Sequence, residues 1–121
     1  MSILKKVAAP NALLLLSDIN GGIALSGMQG SLIASTPTCI AIGCTSDCNG
    51  ETEVLVGPGR EVSTSEAATF EGELDSPSRK VALRTLLRSR VLEAPVRHPR
   101  TRVRIWVNHP SEPDKIVIGL D

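Results

Sequence analysis

Aromatic residues are almost absent from this sequence of 121 residues. It contains one Trp, one Phe and no Tyr, so Trp106 and Phe70 are its whole aromatic content. The core must therefore be built from Leu, Ile, Val and Ala, and clusters of β-branched residues favour strands. The shortage also argues against a binder of single-stranded nucleic acid, because such proteins stack bases on several aromatic side chains.

The sequence also lacks an apolar run long enough for a membrane-spanning helix. In the N-terminal stretch MSILKKVAAPNALLLLSD, Pro10 and Asn11 interrupt the apolar residues and Asp18 ends them. The remaining run is too short to span a bilayer, and no small-x-small cleavage site of a signal peptide follows it. We predict that this stretch is the first strand of a soluble, cytoplasmic protein. The odd number of cysteines, three, agrees with a reducing compartment.

No catalytic signature is present. The sequence has no Gly-x-Ser-x-Gly elbow, and the GPGR stretch at 57–60 lacks the lysine and hydroxyl that follow in a phosphate loop. Both histidines, His98 and His109, precede prolines, a setting typical of solvated loops. We therefore expect a protein that is not an enzyme and binds no cofactor. Its length fits a single domain spanning residues 1–121.

Short apolar runs alternate with Gly, Pro, Asn and Ser along the chain, a pattern typical of a sandwich or barrel. The runs cover residues 12–18, 23–27, 31–35, 38–43, 51–57, 68–75, 102–108 and 115–120. They predict an all-β fold, an antiparallel β-sandwich of about eight or nine short strands. The last two runs predict a C-terminal hairpin.

Residues 76–95, SPSRKVALRTLLRSRVLEAP, fit two structures. As a helix, the segment has Ser76 as N-cap and Pro77 as first residue, with Leu83, Leu86 and Leu87 on one face. As a strand, the segment places alternate residues on one side: Val81, Leu83, Thr85, Leu87 and Val91. Periodicity alone does not separate these readings. The alternative fold is therefore α+β, with one helix at 77–92.

All three cysteines lie in CIAIGCTSDCNGETEVLV, residues 39–56. Asn49–Gly50 suits a two-residue hairpin turn. On that reading Cys44 and Cys48 lie on one strand face, roughly 13 Å apart, which is about twice the reach of a disulfide. The spacing also lacks the Cys-x2-Cys unit of structural zinc sites. We predict a hairpin with structural thiols and no metal ligands; a metal or thiol site at 39–48 is the alternative.

The net charge is zero, but its distribution is uneven. Residues 61–78 carry five acids and no base, whereas residues 79–104 carry nine of the thirteen bases and one acid, Glu93. We predict that the two segments lie on neighbouring strands and partly neutralise each other.

Arginines near the single tryptophan form the candidate binding site. In the C-terminal hairpin Val103, Ile105 and Val107 are predicted to face inward, so the alternate residues of that strand share the opposite face. Because interfaces favour Arg and Trp at their centres, we predict a partner-binding site formed by Arg84, Arg88, Arg102, Arg104 and Trp106. The alternative is binding of nucleic acid or another polyanion through the arginines of residues 84–104.

The C-terminal half resembles a known family. VALRTLLRSRVLEAPV, followed by RTRVRIWVNHPSEPDKIVIGL, is similar to the closing strands of the competence protein J family in strand order, strand spacing and the Trp near the end of the penultimate strand. That family consists of small bacterial all-β proteins that inhibit a DNA-degrading nuclease. The resemblance covers about half of the chain and leaves out the cysteine-bearing N-terminal half.

The resemblance implies a β-sandwich that binds a protein and performs no chemistry, and it favours strands over a helix at 79–95. It carries over no residue of known function. We therefore expect a non-enzymatic protein-binding module of the inhibitor or immunity type. Its expected partner is a protein of unknown identity, with self-association as a further alternative, rather than nucleic acid or a membrane.

Overall fold

The structure, a computed structural model, describes residues 2–9, 12–21, 31–62, 66–85 and 90–121. Within these ranges ten strands and one short helix follow each other as β1 (Ile3–Val7), β2 (Leu13–Asp18), β3 (Ile33–Thr36), β4 (Cys39–Gly43), β5 (Thr52–Pro58), α1 (Gly59–Val62), β6 (Phe70–Asp75), β7 (Lys80–Thr85), β8 (Arg90–Pro95), β9 (Arg100–Val107) and β10 (Lys115–Leu120). The predicted all-β class is confirmed. In the described part of the chain, no helix is long and apolar enough to cross a membrane.

The strands form two five-stranded sheets. Sheet 1 has the order β1-β5-β10-β9-β6, and sheet 2 has the order β3-β4-β2-β7-β8. Because alternate residues of a strand point to opposite faces, each central strand contributes every second residue to a shared core. Its fully buried members include Leu14, Leu16, Ile40, Ile42, Val54, Val56, Leu83, Ile105, Ile116 and Ile118. Aliphatic side chains thus build the core, as the shortage of aromatics predicted.

One strand pair departs from the antiparallel prediction. β10 runs parallel to β5, with Ile116 opposite Val54 and Ile118 opposite Val56. Parallel neighbours need a long connection, and here α1 and strands β6 to β9 lie between them in the chain. The predicted C-terminal hairpin is confirmed, because β9 and β10 pair antiparallel.

The N-terminal stretch forms two strands instead of one. β1 is an edge strand of sheet 1 and pairs with β5, whereas β2 lies in sheet 2 between β4 and β7. Ala12, directly before β2, has a φ of 56°, which an extended backbone does not adopt. The prediction of a single first strand is therefore wrong. The strand predicted at 23–27 lies outside the described residues.

Residues 77–92 do not form the alternative helix. β7 and β8 are antiparallel neighbours in sheet 2, with Val81 opposite Ala94 and Leu83 opposite Leu92. β7 also pairs with β2, so this strand has backbone partners on both of its edges. Residues 86–89, which carry part of the proposed helical face, lie outside the described residues.

The predicted cysteine hairpin is wrong. Both hydrogen-bonding edges of β4 are occupied by β2 and β3 in sheet 2, so β5 pairs in sheet 1 instead. Residues 44–51 cross between the sheets and include one 3-10 turn, Asp47–Asn49. The crossing is tied to the loop between β9 and β10, because Thr45 donates from its N–H to the Pro113 carbonyl at 2.9 Å and from its hydroxyl to the Glu112 carbonyl at 3.0 Å.

Candidate partner-binding face

The outer face of sheet 1 carries three of the five predicted site residues. β9 buries Thr101, Val103 and Ile105 and turns the alternate residues outward. The outward row is Arg100, Arg102, Arg104 and Trp106. We call this row, together with Glu71, Glu73 and Asp75 of β6, the β6–β9 face.

Acidic and basic residues of neighbouring strands pair on this face. β6 lies beside β9, and the register places Glu71 opposite Arg104 and Glu73 opposite Arg102. Two ion pairs run diagonally, from Arg102 to Glu71 at 3.5 Å and from Arg100 to Glu73 at 3.5 Å. A third joins Arg100 to Asp75, its direct opposite in the register, at 3.4 Å. The acidic and basic segments therefore neutralise each other here, and the side chains remain largely solvated.

Trp106 does not lie exposed on this surface. Only 7% of the residue is accessible, and its indole N–H donates to the Glu66 carbonyl at 3.0 Å. α1 folds back over the outer face of sheet 1 at Gly119, where an added Cβ would lie 3.3 Å from both the Trp106 ring and the Gly59 Cα. Trp106 therefore anchors the segment that follows β5.

Arg104 links Trp106 to the end of β10. Its guanidinium carbon lies 5.4 Å from the centroid of the Trp106 ring, and its Nη2 lies 3.1 Å from a carboxylate oxygen of Asp121. About 26% of its side chain is accessible, compared with 63% for Arg102. Of the three predicted site residues on this face, Arg102 is thus the most accessible.

Of the other two predicted site residues, Arg84 is not brought to this face. Arg84 lies on β7 in sheet 2, where its guanidinium donates to the Ser17 hydroxyl at 3.2 Å and to the Ile19 carbonyl at 2.6 Å. Arg88 lies outside the described residues.

A buried carboxylate that sequence reasoning missed stands at the end of β2. Asp18 is 3% accessible and accepts hydrogen bonds from the Asn20 N–H, the Ser78 N–H and the Ser78 hydroxyl at 3.0, 2.9 and 2.8 Å. Burial works to raise the pKa of this carboxyl, but the hydrogen bonds and the nearby Arg84 outweigh it and leave the pKa below its usual 3.8. Asp18 therefore fastens the turn between β6 and β7 to sheet 2.

The cysteines do not converge on a site. Cys39 and Cys44 are buried and Cys48 is exposed, and all three are free thiols. Burial raises the pKa of Cys39 and Cys44, against a smaller lowering at Cys44 from the Thr52 hydroxyl. Within the ranges that the structure describes, no three His, Cys, Asp or Glu side chains are grouped closely enough to hold a metal ion. The geometry offers no support for a metal site at 39–48.

The architecture is that of a two-sheet β-sandwich whose first sheet is mixed. Two solved structures have a similar fold. The chain is similar to ComJ from Bacillus subtilis, an inhibitor of the DNA degrading activity of NucA, with a TM-score of 0.72 and 10% identity over 99% of this chain and 96% of ComJ. It is also similar to the product of crocagin biosynthetic gene J, with a TM-score of 0.57 and 12% identity over 99% and 97% of the two chains. No protein-family model and no curated protein sequence matches the chain.

These similarities confirm the fold that the resemblance to the competence protein J family implied. The structural similarity also covers the N-terminal half, which lay outside the sequence resemblance. At 10 to 12% identity they concern the arrangement of the chain and not its individual side chains.

Proposed function

We propose that this chain is a non-enzymatic protein-binding module of the inhibitor type. The observation that carries the proposal is the sandwich shared with ComJ over nearly the full length of both chains. A nuclease is the corresponding class of partner, because ComJ inhibits the DNA degrading activity of NucA. A fold hosts many functions, so the partner must be tested directly.

The β6–β9 face is the proposed partner-binding site. Its charges alternate in sign between the two strands, and such a pattern selects a partner of complementary pattern and sets the register of docking. Arg102 is the proposed contact residue because its side chain is the most accessible of the predicted set on this face. Trp106 and Arg104 are less accessible and stabilise the face rather than contact the partner. Arg84 donates hydrogen bonds within sheet 2 and is not part of the proposed site.

Polyanion binding through residues 84–104 is the weaker candidate. Arg84 donates to sheet 2, and Arg90 pairs with Glu93. Arg100, Arg102 and Arg104 each pair with a carboxylate. A phosphate backbone would have to displace these intramolecular partners, and Arg97 is the one remaining described arginine of this range, so we do not propose this function.

Inhibition of DNA degradation tests the proposal. Each purified DNA-degrading nuclease of the source organism is incubated with linear DNA, with and without excess protein, and the loss of full-length DNA is followed. We expect one nuclease to lose its activity and to co-elute with this chain in size-exclusion chromatography. Arg102→Glu should weaken inhibition, and Lys115→Glu, an exposed cation at the N-terminal end of β10 far from Arg102, is the matched control.

Two outcomes would contradict the proposal at different levels. If every nuclease keeps its full rate and none co-elutes with the chain, the inhibitor function is wrong. If one nuclease is inhibited equally by the wild type and by Arg102→Glu, the function stands but the β6–β9 face is not the site.

A further inference from the structure

A cavity of about 420 Å³ opens between the sheets on the side of the edge strands β1 and β8. Its apolar lining is Ile3, Pro58, Ala94, Pro95, Val96 and Leu120. Its polar lining is Arg60, Arg97, His98 and Asp121. The ends of β5, β8 and β10 thus enclose a pocket that is apolar inside and charged at its rim.

The rim offers unpaired positive charge. Arg60 and Arg97 are both exposed, and among the described residues no carboxylate lies within 4.0 Å of either guanidinium. The acidic side chain in the described lining, that of Asp121, is held by Arg104 at 3.1 Å. Two arginines therefore remain to receive an anion, and a guanidinium binds a carboxylate through two parallel hydrogen bonds.

The interior requires an apolar ligand. Ala94 and Leu120 are core residues, and Ile3 and Val96 pack against the core. Burial of apolar surface in such a pocket favours an aliphatic or alicyclic body over a polar one. The volume exceeds what one amino-acid side chain fills and falls within the usual range of small-molecule pockets, about 300–1,000 Å³.

We propose that this pocket binds a small-molecule aliphatic carboxylate. Its hydrocarbon body packs against Ile3, Val96 and Leu120, and its carboxylate binds the guanidinium groups of Arg60 and Arg97. The pocket and the β6–β9 face involve different residues, so this ligand site does not depend on the proposed inhibitor function. The sequence predicts a solvated loop at His98. Only the tertiary structure places Arg97 and His98 beside β1 and β5, at the rim of the pocket.

Isothermal titration calorimetry of the full chain tests the ligand chemistry. The probes are decanoate below its micellar concentration, decanol as the neutral analogue and decyltrimethylammonium as the cationic analogue. We expect saturable one-to-one binding of decanoate, with the two analogues about tenfold weaker or more because they lose the charge-assisted hydrogen bonds. Amide chemical shifts in an NMR titration should change at the non-proline residues of 57–60, 94–98 and 119–121.

Variants assign the two parts of the pocket. Arg60→Gln with Arg97→Gln should weaken decanoate binding about tenfold while leaving decanol unaffected. Val96→Trp fills the mouth of the pocket at a half-buried position and should weaken decanoate and decanol together. Lys115→Gln, the removal of an exposed positive charge at the opposite end of β10, is the matched control and should leave all affinities unchanged.

Four results would overturn the proposal. These are no saturable binding of decanoate, equal affinities for the three probes, unchanged affinity in the double arginine variant, and chemical-shift changes confined to residues outside the pocket. A short peptide ending in a free leucine carboxylate is titrated in parallel. If it binds and decanoate does not, the pocket recognises a peptide end and the small-molecule assignment is wrong.

Discussion

At the scale of single residues, Asp18 is a buried carboxylate with three hydrogen-bond donors. Two hydrogen bonds from Ser78 join it to the turn between β6 and β7, and a third comes from Asn20, directly after β2. The adjacent Arg79 has a φ of 56°, a conformation that a non-glycine residue adopts only where its surroundings enforce it. The carboxylate of Asp18 thus holds a strained turn in place.

Replacement of Asp18 should lower stability, and the loss should depend on pH. Asp18→Ala removes three hydrogen bonds to a charged acceptor and should cost about 2–3 kcal/mol of the free energy of unfolding. Because the folded state lowers the pKa of Asp18, the contribution of the carboxylate is complete above the ordinary value of 3.8 and is lost as the pH falls through the lower, folded-state value.

Urea unfolding at about pH 6 and about pH 2.5 measures this pH dependence. The wild type should lose more stability on acidification than Asp18→Asn, which carries no titratable group at this position. Glu51→Gln, at an exposed acid, should behave as the wild type. Parallel losses in the wild type and Asp18→Asn would show that Asp18 does not couple folding to pH.

At the scale of elements, β6 and β9 illustrate how opposite charges occupy one sheet face. The three ion pairs between them join side chains that are 40 to 67% accessible. Exposed pairs of this kind contribute little to stability, because water already solvates both charges. The paired charges therefore determine the charge pattern of the β6–β9 face and contribute little to the stability of the sheet.

Exchange of the Arg102 and Glu71 charges should change the free energy of unfolding only slightly. Arg102→Glu and Glu71→Arg should each cost less than about 1 kcal/mol, and the double variant should recover part of both losses, with a coupling energy of about 0.5 kcal/mol. Chemical unfolding at low and high NaCl measures the coupling, which should vanish near about 1 M salt. Strictly additive losses at low salt would mean that the pair does not form in solution.

At the scale of the whole molecule, the two sheets share one hydrophobic core. Residues of β2, β4 and β7 from sheet 2 pack with residues of β5, β9 and β10 from sheet 1 in a single cluster. The parallel pair β5–β10 also joins strands that are far apart in sequence. Neither sheet is therefore expected to persist without the other, and a single domain over residues 1–121 remains our prediction.

A core deletion in sheet 2 tests this cooperativity. Leu16 is fully buried, and Leu16→Ala should lower the free energy of unfolding by about 2–5 kcal/mol. Trp106 in sheet 1 reports one sheet by fluorescence, while far-ultraviolet circular dichroism reports both sheets. We expect the two transitions to coincide in the wild type and to shift together in the variant. A Trp106 transition that stays in place would indicate two separately folding units.

The sequence by itself determined the features that depend on neighbouring residues. Alternation along β9 predicts which side chains enter the core and which share the outer face with Arg102, and the turn residues between β9 and β10 predict their hairpin. The near absence of aromatics predicts the aliphatic core. These features need only the local period of a strand.

Only the tertiary structure decided which strands pair and what covers each face. A continuously apolar run such as β4 can pair with either neighbour, so the Asn49–Gly50 signal did not decide that β4 and β5 enter different sheets. Trp106 is buried by a segment about 40 residues earlier in the chain, and Arg84 finds its acceptors 65 and 67 residues away. Local periodicity holds no information about such distant partners, which depend on how the two sheets close around their core.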